Sequence, residues 1–175
     1  FYTSTGIASG SFDPYIVGFR YIGQTAGAGG GAGSTASQVV RDITLDEAVV
    51  LGDSIRLVRS SDAPTFTNPG RAVRALATTG KTAQVIGVAA ASGSEGDTIS
   101  VVLNGVVDIT FAVAPTADQI GADIFLSSTN QGKVLVTPPS GSGISIVKVG
   151  KVLFGDGAAT TQPCKVDVQL IAQLA

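Results

Sequence analysis

Apolar and polar residues alternate along several short stretches of this chain, and the spacing of an amphipathic helix is nearly absent. The stretches are rich in Val, Ile and Thr, and most of them end at Gly, Pro, Asn or Ser. A period of two places successive side chains on opposite faces of an extended strand. The pattern therefore predicts an all-β fold, which we interpret as a β-barrel or β-sandwich of short antiparallel strands.

The most regular alternation flanks the dipeptide Asn104-Gly105. Apolar residues occupy every second position on both sides, at Ile99, Val101 and Leu103 and again at Val107, Ile109 and Phe111. Asn-Gly favours a two-residue type I′ turn, because both central residues of that turn need a positive φ. We therefore predict a hairpin from Thr98 to Phe111.

Two further strand features follow towards the C-terminal end. A second hairpin is predicted to join 124–127 to 133–137 through Asn130-Gln131-Gly132. In the last stretch, one face carries Cys164, Val166, Val168 and Leu170, and polar side chains lie between them. This alternation predicts a half-buried strand with its apolar face on the core.

Short motifs recur in the same order in two parts of the chain. Gly52-Asp53-Ser54-Ile55 resembles Gly121-Ala122-Asp123-Ile124, Gly70-Arg71-Ala72-Val73 resembles Gly132-Lys133-Val134-Leu135, and Val85-Ile86-Gly87-Val88 resembles Lys148-Val149-Gly150-Lys151. The offsets are 69, 62 and 63 residues. They indicate two related β units, over residues 45–90 and 115–155. Chance similarity among Gly- and Val-rich strands is the alternative interpretation.

The first 37 residues differ in composition from the remainder. Six of the ten aromatic residues lie within the first 21 positions, at Phe1, Tyr2, Phe12, Tyr15, Phe19 and Tyr21. A Gly-rich tract then covers residues 27–33, and such tracts are flexible linkers. We predict an extended N-terminal arm and linker over residues 1–37, followed by a β body over residues 38–175. The alternative is that Tyr15–Ile22 is the first strand of the body.

Composition and charge narrow the range of partners. Hydrophobic residues make up 44% of the chain and charged residues only 14%, so much of the surface is small and polar. The net charge is −2, and no stretch collects the Lys and Arg that bind a phosphate backbone. The longest apolar run, Val85–Ala91, is far shorter than the roughly 20 residues that span a bilayer. We expect neither nucleic acid nor a membrane as partner.

Side-chain chemistry for catalysis is scarce in this sequence. Histidine is absent, which removes the Ser-His-Asp and Cys-His arrangements and every His metal ligand. The Gly-rich tract lacks the strand-to-helix context of a dinucleotide site. The acids at Asp46/Glu47, Glu95/Asp97 and Asp156 lack EF-hand spacing and fit turn caps. We expect no enzymatic activity, no cofactor and no metal site, and we interpret Cys164 as a small buried residue.

Several stretches resemble small β modules of tailed-bacteriophage virions. They are Val85–Ala89, Glu95–Gly105, Ile120–Ser127 and Gly132–Val134. The order of an IGVA strand, a Gly-Asp-Thr strand start, a Gly turn and a Gly-Lys-Val start is similar to that of capsid decoration (cement) proteins and related head-fibre and tail-fibre proteins. The resemblance covers about residues 45–150 and rests on turns and strand starts.

The resemblance implies a structural role in a virion without catalytic residues. Decoration proteins stabilise the shell by binding neighbouring capsid subunits, usually as oligomers, and we expect a homo-oligomer such as a trimer bound to the major capsid protein. A fibre or tail component with a host-surface or assembly role is the alternative. Because the arm's aromatic residues exceed what the body needs, the residues expected to make the contact are Phe12, Tyr15, Phe19 and Tyr21.

Overall fold

The computed structural model describes residues 38–174, and the predicted all-β fold is confirmed. This part of the chain contains nine strands and two single-turn 3₁₀ helices, at Ser60–Asp62 and Ala117–Gln119. The strands are β1 (Val39–Thr44), β2 (Ser54–Leu57), β3 (Ala72–Arg74), β4 (Val85–Ala89), β5 (Thr98–Thr110), β6 (Asp123–Leu126), β7 (Val134–Leu135), β8 (Ser145–Val152) and β9 (Thr161–Gln173). The predicted N-terminal arm lies outside the described residues.

The strands form one sheet in the order β3-β2-β4-β5-β9-β8-β6-β7, and every pair of neighbours is antiparallel. β1 joins this sheet by pairing with β5. Val101 of β5 pairs with both Arg41 and Ala89, so β1 and β4 lie on opposite edges of β5. The sheet curls until β4 contacts β8 and β9, which agrees with the predicted barrel or sandwich.

Two clusters of buried aliphatic side chains pack on opposite faces of β4 and β5. The larger one includes Val88 and Val102, and the smaller one, centred on Leu45, includes the adjacent residues Ala89 and Val101. The two clusters separate in this way because successive side chains of a strand point to opposite faces. The body thus has a core that is built almost entirely from Val, Ile, Leu and Ala.

The predicted hairpin at Asn104-Gly105 is wrong, because β5 runs through both residues as one strand from Thr98 to Thr110. Its first half pairs with β1 and its second half pairs with β9. Gly105 does have a positive φ of 128°, and a Cβ there would lie 2.7 Å from Gln38 Cγ. The glycine therefore provides close approach within a long strand, and pairing on both halves of β5 outweighs the local preference for a turn.

The other two strand predictions have different outcomes. β6 and β7 form the predicted second hairpin, with Phe125 opposite Leu135 and a loop over 127–133 between them. β9 alternates as predicted through Cys164 and Val166, which are both buried. Leu170 contradicts the prediction because it is 71% exposed. The inward face of β9 extends beyond the edge of the core before that position.

The two parts of the sheet repeat one pairing pattern. β2 pairs with β3 and β4, and β6 pairs in the same way with β7 and β8. Ile55 lies opposite Gly87 and Ile124 lies opposite Gly150, with a bulge directly after each isoleucine. β5 and β9 each contain 13 residues, and each is the last strand of its part in chain order. We interpret β2 to β5 as the first β unit and β6 to β9 as the second.

The glycines in the middle of β4 and β8 lie close to the backbone of the long strands β5 and β9. A Cβ on Gly150 would lie 1.9 Å from the carbonyl oxygen of Lys165, and one on Gly87 would lie 2.4 Å from that of Val102. Any larger residue would collide with the backbone of the adjacent long strand. The repeated glycine therefore lets each short strand pack closely against β5 or β9.

Candidate functional site

The residues predicted to make contacts, Phe12, Tyr15, Phe19 and Tyr21, lie outside the described residues, and the structure does not place them. A site on the body must come from residues 38–174. The strongest candidate there is a group of large apolar side chains that the fold leaves in contact with solvent. Exposed apolar groups of this kind commonly mark contacts with other macromolecules.

Two loops of the second β unit lie side by side and carry this group. One connects β5 to β6 over residues 111–122, and the other connects β8 to β9 over residues 153–160. Gly121 donates a hydrogen bond to the Val152 carbonyl over 2.8 Å, and Val152 donates one to the Ala122 carbonyl over 3.0 Å. Gly157 donates to the Pro115 carbonyl over 2.9 Å. The hydrogen bonds hold the two loops in one fixed arrangement.

Four apolar residues of these loops form what we call the apolar patch. Their exposed fractions are 70% for Val113, 52% for Ile120, 44% for Leu153 and 48% for Phe154. A Cβ on Gly155 would lie 2.6 Å from the Thr116 carbonyl oxygen, so the backbone next to Phe154 packs tightly on the neighbouring loop. The patch is therefore displayed by a rigid framework.

The first β unit provides an internal comparison for the apolar patch. Gly52 donates to the Ala89 carbonyl and Ala89 donates to the Asp53 carbonyl, each over 2.9 Å, as Gly121, Val152 and Ala122 do in the second unit. The residues that follow Ala89 are Ala90 and Ala91, where the second unit has Leu153 and Phe154. The same backbone arrangement forms with two small residues, so folding does not require the large ones.

The charged residues close in sequence to the apolar patch include three aspartates and the exposed Lys151. Hydrogen bonds from the backbone N–H groups of Ala158 and Ala159 lower the pKa of Asp156. Hydrogen bonds from Lys151, and then from Lys148, lower the pKa of Asp123. Asp118 is exposed, and among the described residues it forms no ion pair. Asp118 and Asp156 thus both lack a cation partner among the described residues, and only Asp118 also lacks a hydrogen bond from a neighbouring N–H group.

The other acids singled out in the sequence stabilise the fold locally. Asp97 accepts a hydrogen bond from the Ser94 backbone over 2.8 Å, which is the predicted turn role. Asp46 and Glu47 are not turn caps, because Asp46 accepts from the Asn68 amide and Glu47 pairs with the Arg74 guanidinium at 3.1 Å. Asp46 and Glu47 therefore connect separate segments of the body through noncovalent side-chain contacts.

Two ion pairs outside the patch each contain at least one buried side chain. Arg56 donates to Asp62 over 2.7 Å with both side chains nearly buried, and its guanidinium lies 5.7 Å from the centre of the Phe66 ring. Lys133 Nζ lies 2.7 Å from Asp53 Oδ1 and so joins the second β unit to the first. The Arg56 Nε atom is buried without a hydrogen-bond partner, whereas its Nη1 atom donates to Asp62 and to the Leu57 carbonyl.

Within 38–174, no group of three or more His, Cys, Asp or Glu side chains is arranged to hold a metal ion. Cys164 is buried as expected, and burial raises the pKa of its thiol to about 12. Among the same residues, no helix has the length and apolar character needed to cross a membrane.

Sequence reasoning missed the apolar patch. The available signal was Leu153-Phe154, two consecutive large apolar residues that interrupt alternation directly before the polar turn Gly155-Asp156-Gly157. Apolar pairs at such a turn are unusual because turn residues normally face water. Comparison with known proteins adds no assignment, since no protein-family model and no curated protein matches this chain.

Proposed function

We propose that this chain is a structural protein of a virion, which decorates and stabilises a phage capsid by binding neighbouring capsid subunits. The observation that carries the proposal is the apolar patch on hydrogen-bonded loops. Burial of roughly half of each exposed side chain contributes about 1 kcal/mol per residue, so the four residues contribute a few kcal/mol to a contact. Binding through buried area needs no catalytic group.

The resemblance to decoration proteins is the basis for proposing a location in the virion. The composition supports a role in binding other proteins. A surface with few charges has a low desolvation cost when it packs against another protein. The single curled antiparallel sheet with a dense aliphatic core supplies a rigid support for such contacts. The partners are the major capsid protein and further copies of this chain, with a trimer as the expected oligomer.

A fibre or tail component is the second candidate function, and the repeated β units favour it. Elongated virion proteins are commonly assembled from repeated units that stack along an axis. The two units here share one continuous sheet, and β5 pairs with strands of both. A fibre would be present in few copies, whereas a decoration protein covers the shell.

Quantitative mass spectrometry of purified virions of the phage that encodes this chain tests the proposal. Decoration predicts a copy number comparable with that of the major capsid protein. A small number of copies per particle would instead support the fibre or tail candidate. Absence of the chain from virions would contradict both.

A further inference from the structure

We propose that the apolar patch is the docking site for the aromatic segment 12–22 of a second copy of this chain. This inference rests on the proposed function, in which the apolar patch makes a contact between virion subunits. It goes further by naming the segment that covers the patch. The patch consists of Val113, Ile120, Leu153 and Phe154.

The first argument is that the fold does not need the large residues of the patch. The first β unit builds the equivalent loop arrangement with Ala90 and Ala91. Replacing those alanines by Leu153 and Phe154 in the second unit adds exposed apolar area without adding to either core cluster. Such area is unfavourable in water unless another surface covers it.

The second argument concerns the chemistry of the segment. An extended strand over residues 12–22 would place Tyr15, Val17, Phe19 and Tyr21 on one face. Aromatic side chains are enriched where proteins contact each other, because they bury large areas at a low entropy cost. An aromatic strand face and an aliphatic patch with one phenylalanine are complementary in character.

The third argument is charge. Segment 12–22 contains Asp13 and the cation Arg20, and an extended strand places Arg20 on the face opposite Tyr15, Phe19 and Tyr21. The long Arg20 side chain extends past the edge of the docked strand to the rim of the patch, where the exposed Asp118 has no ion-pair partner among residues 38–174. A pair between these two residues fixes the direction of the docked strand more than it adds affinity. This gives the proposal a charge-reversal test.

The length of chain before the body permits the contact. Fifteen residues, 23–37, separate the segment from Gln38, and a Gly-rich coil of that length spans about 20 Å. Gln38 itself is fixed on β5, where its side-chain amide donates to the Val106 carbonyl. An arm that docks on the patch of the next copy makes a head-to-tail contact, which forms a ring such as a trimer when the rotation between copies closes.

Disulfide trapping between full-length chains tests the docking site. A chain with Phe19→Cys is mixed with a differently tagged chain carrying Phe154→Cys, and heterodimers are counted after mild oxidation. Cys164 does not interfere because its thiol is buried and its pKa is raised to about 12. We expect a several-fold higher yield than with the matched control Ala91→Cys, which is exposed at the equivalent position of the first unit.

Equal yields for Phe154→Cys and Ala91→Cys would overturn the proposal. So would a double variant Phe19→Cys/Phe154→Cys that forms its disulfide within one chain in preference to between chains. Leu153→Cys replaces Phe154→Cys if circular dichroism shows that the latter is unfolded. In sedimentation experiments, Arg20→Glu should weaken self-association several-fold, and Asp118→Arg in the same chain should restore it. Failure of the second change to restore association would count against the pairing.

A further variant separates this inference from the proposed function. Serine at all four positions Phe12, Tyr15, Phe19 and Tyr21 removes the aromatic face of the arm. If this variant no longer self-associates while Phe154→Cys gives no cross-link, the arm docks elsewhere, and only the present inference fails. If the variant self-associates and enters virions as the unchanged chain does, attachment by the arm is itself wrong.

Discussion

At the scale of single residues, the ion pair between Arg56 and Asp62 stabilises the loop after β2. Arg56 is nearly buried, and Asp62 also accepts a hydrogen bond from the Arg59 backbone over 2.8 Å. That backbone bond, more than the guanidinium itself, lowers the pKa of Asp62. Removal of the carboxylate charge leaves a buried guanidinium without a counter-charge.

We predict that Asp62→Asn lowers the free energy of unfolding by about 2–3 kcal/mol, because one member of a buried pair is lost. Asp167→Asn is the matched control, since Asp167 is well exposed and lies 3.8 Å from Lys148. The control should change stability by less than about 0.5 kcal/mol. Urea titrations that give equal losses for the two variants would disprove the assignment.

Asp156 gives the body a measurable acid sensitivity. Its pKa is lowered from the ordinary value of 3.8 by hydrogen bonds from Ala158 and Ala159. The unfolded chain therefore binds protons at this group before the folded chain does. The resulting stability is complete above the ordinary Asp pKa and is lost as the pH falls through the lowered one.

We predict that Asp156→Asn flattens the acid part of the stability profile. Melting temperatures of the unchanged chain should fall as the pH is lowered below about 4, and those of the variant should fall less steeply. Thermal melts across the acid range measure both slopes. An equally steep fall in the variant would show that Asp156 does not contribute.

At the scale of the elements, the fold depends on strands that pack closely against their neighbours at glycine residues. Gly87 in β4 and Gly150 in β8 allow the bulged strands to approach β5 and β9. We predict that Gly87→Ala and Gly150→Ala each cost about 2 kcal/mol or more, because the added methyl group collides with a carbonyl oxygen. Chemical denaturation measures the loss.

Gly80→Ala is the control for these two variants. A Cβ at position 80 lies 3.2 Å from the flexible Gln173 side chain, which can move. Its stability should stay close to that of the unchanged chain. Losses of similar size at positions 80 and 150 would mean that close packing against the long strands is not the cause.

The strands show which signals a sequence carries. Alternation predicted the all-β fold, and the turn residues 130–132 predicted the hairpin of β6 and β7. Asn104-Gly105 carries an equally strong local turn signal, but Asn104 pairs with both Val39 and Asp167 and stays within a strand. Those partners are distant in sequence, so a local pattern could not reveal them.

The candidate site was predictable to a smaller extent. Leu153 and Phe154 are conspicuous in sequence, but Val113 and Ile120 join them only because hydrogen bonds connect two loops about 40 residues apart. The aromatic contact residues of the arm stay a prediction. Their pairing with the patch depends on an association between chains that neither alternation nor composition encodes.

At the scale of the whole molecule, the body should fold without residues 1–37. Both core clusters consist of residues between Ile43 and Val166, with partly buried neighbours up to Val168. We predict that deletion of residues 1–37 leaves a soluble chain with unchanged far-ultraviolet circular dichroism. An unfolded or aggregated product would instead place Tyr15–Ile22 among the strands of the body.

The central claim is that this molecule acts by burying its apolar patch against another subunit. Sedimentation velocity of the full chain and of a Leu153→Ser/Phe154→Ser variant tests it most directly. Val50→Ser is the control because Val50, in the segment before β2, is 54% exposed and is not part of the patch. We predict that the unchanged chain and the control sediment as the same oligomer, and that the folded patch variant sediments as a monomer. A patch variant that keeps the oligomer, or an unchanged chain that is already monomeric at high concentration, would contradict the claim.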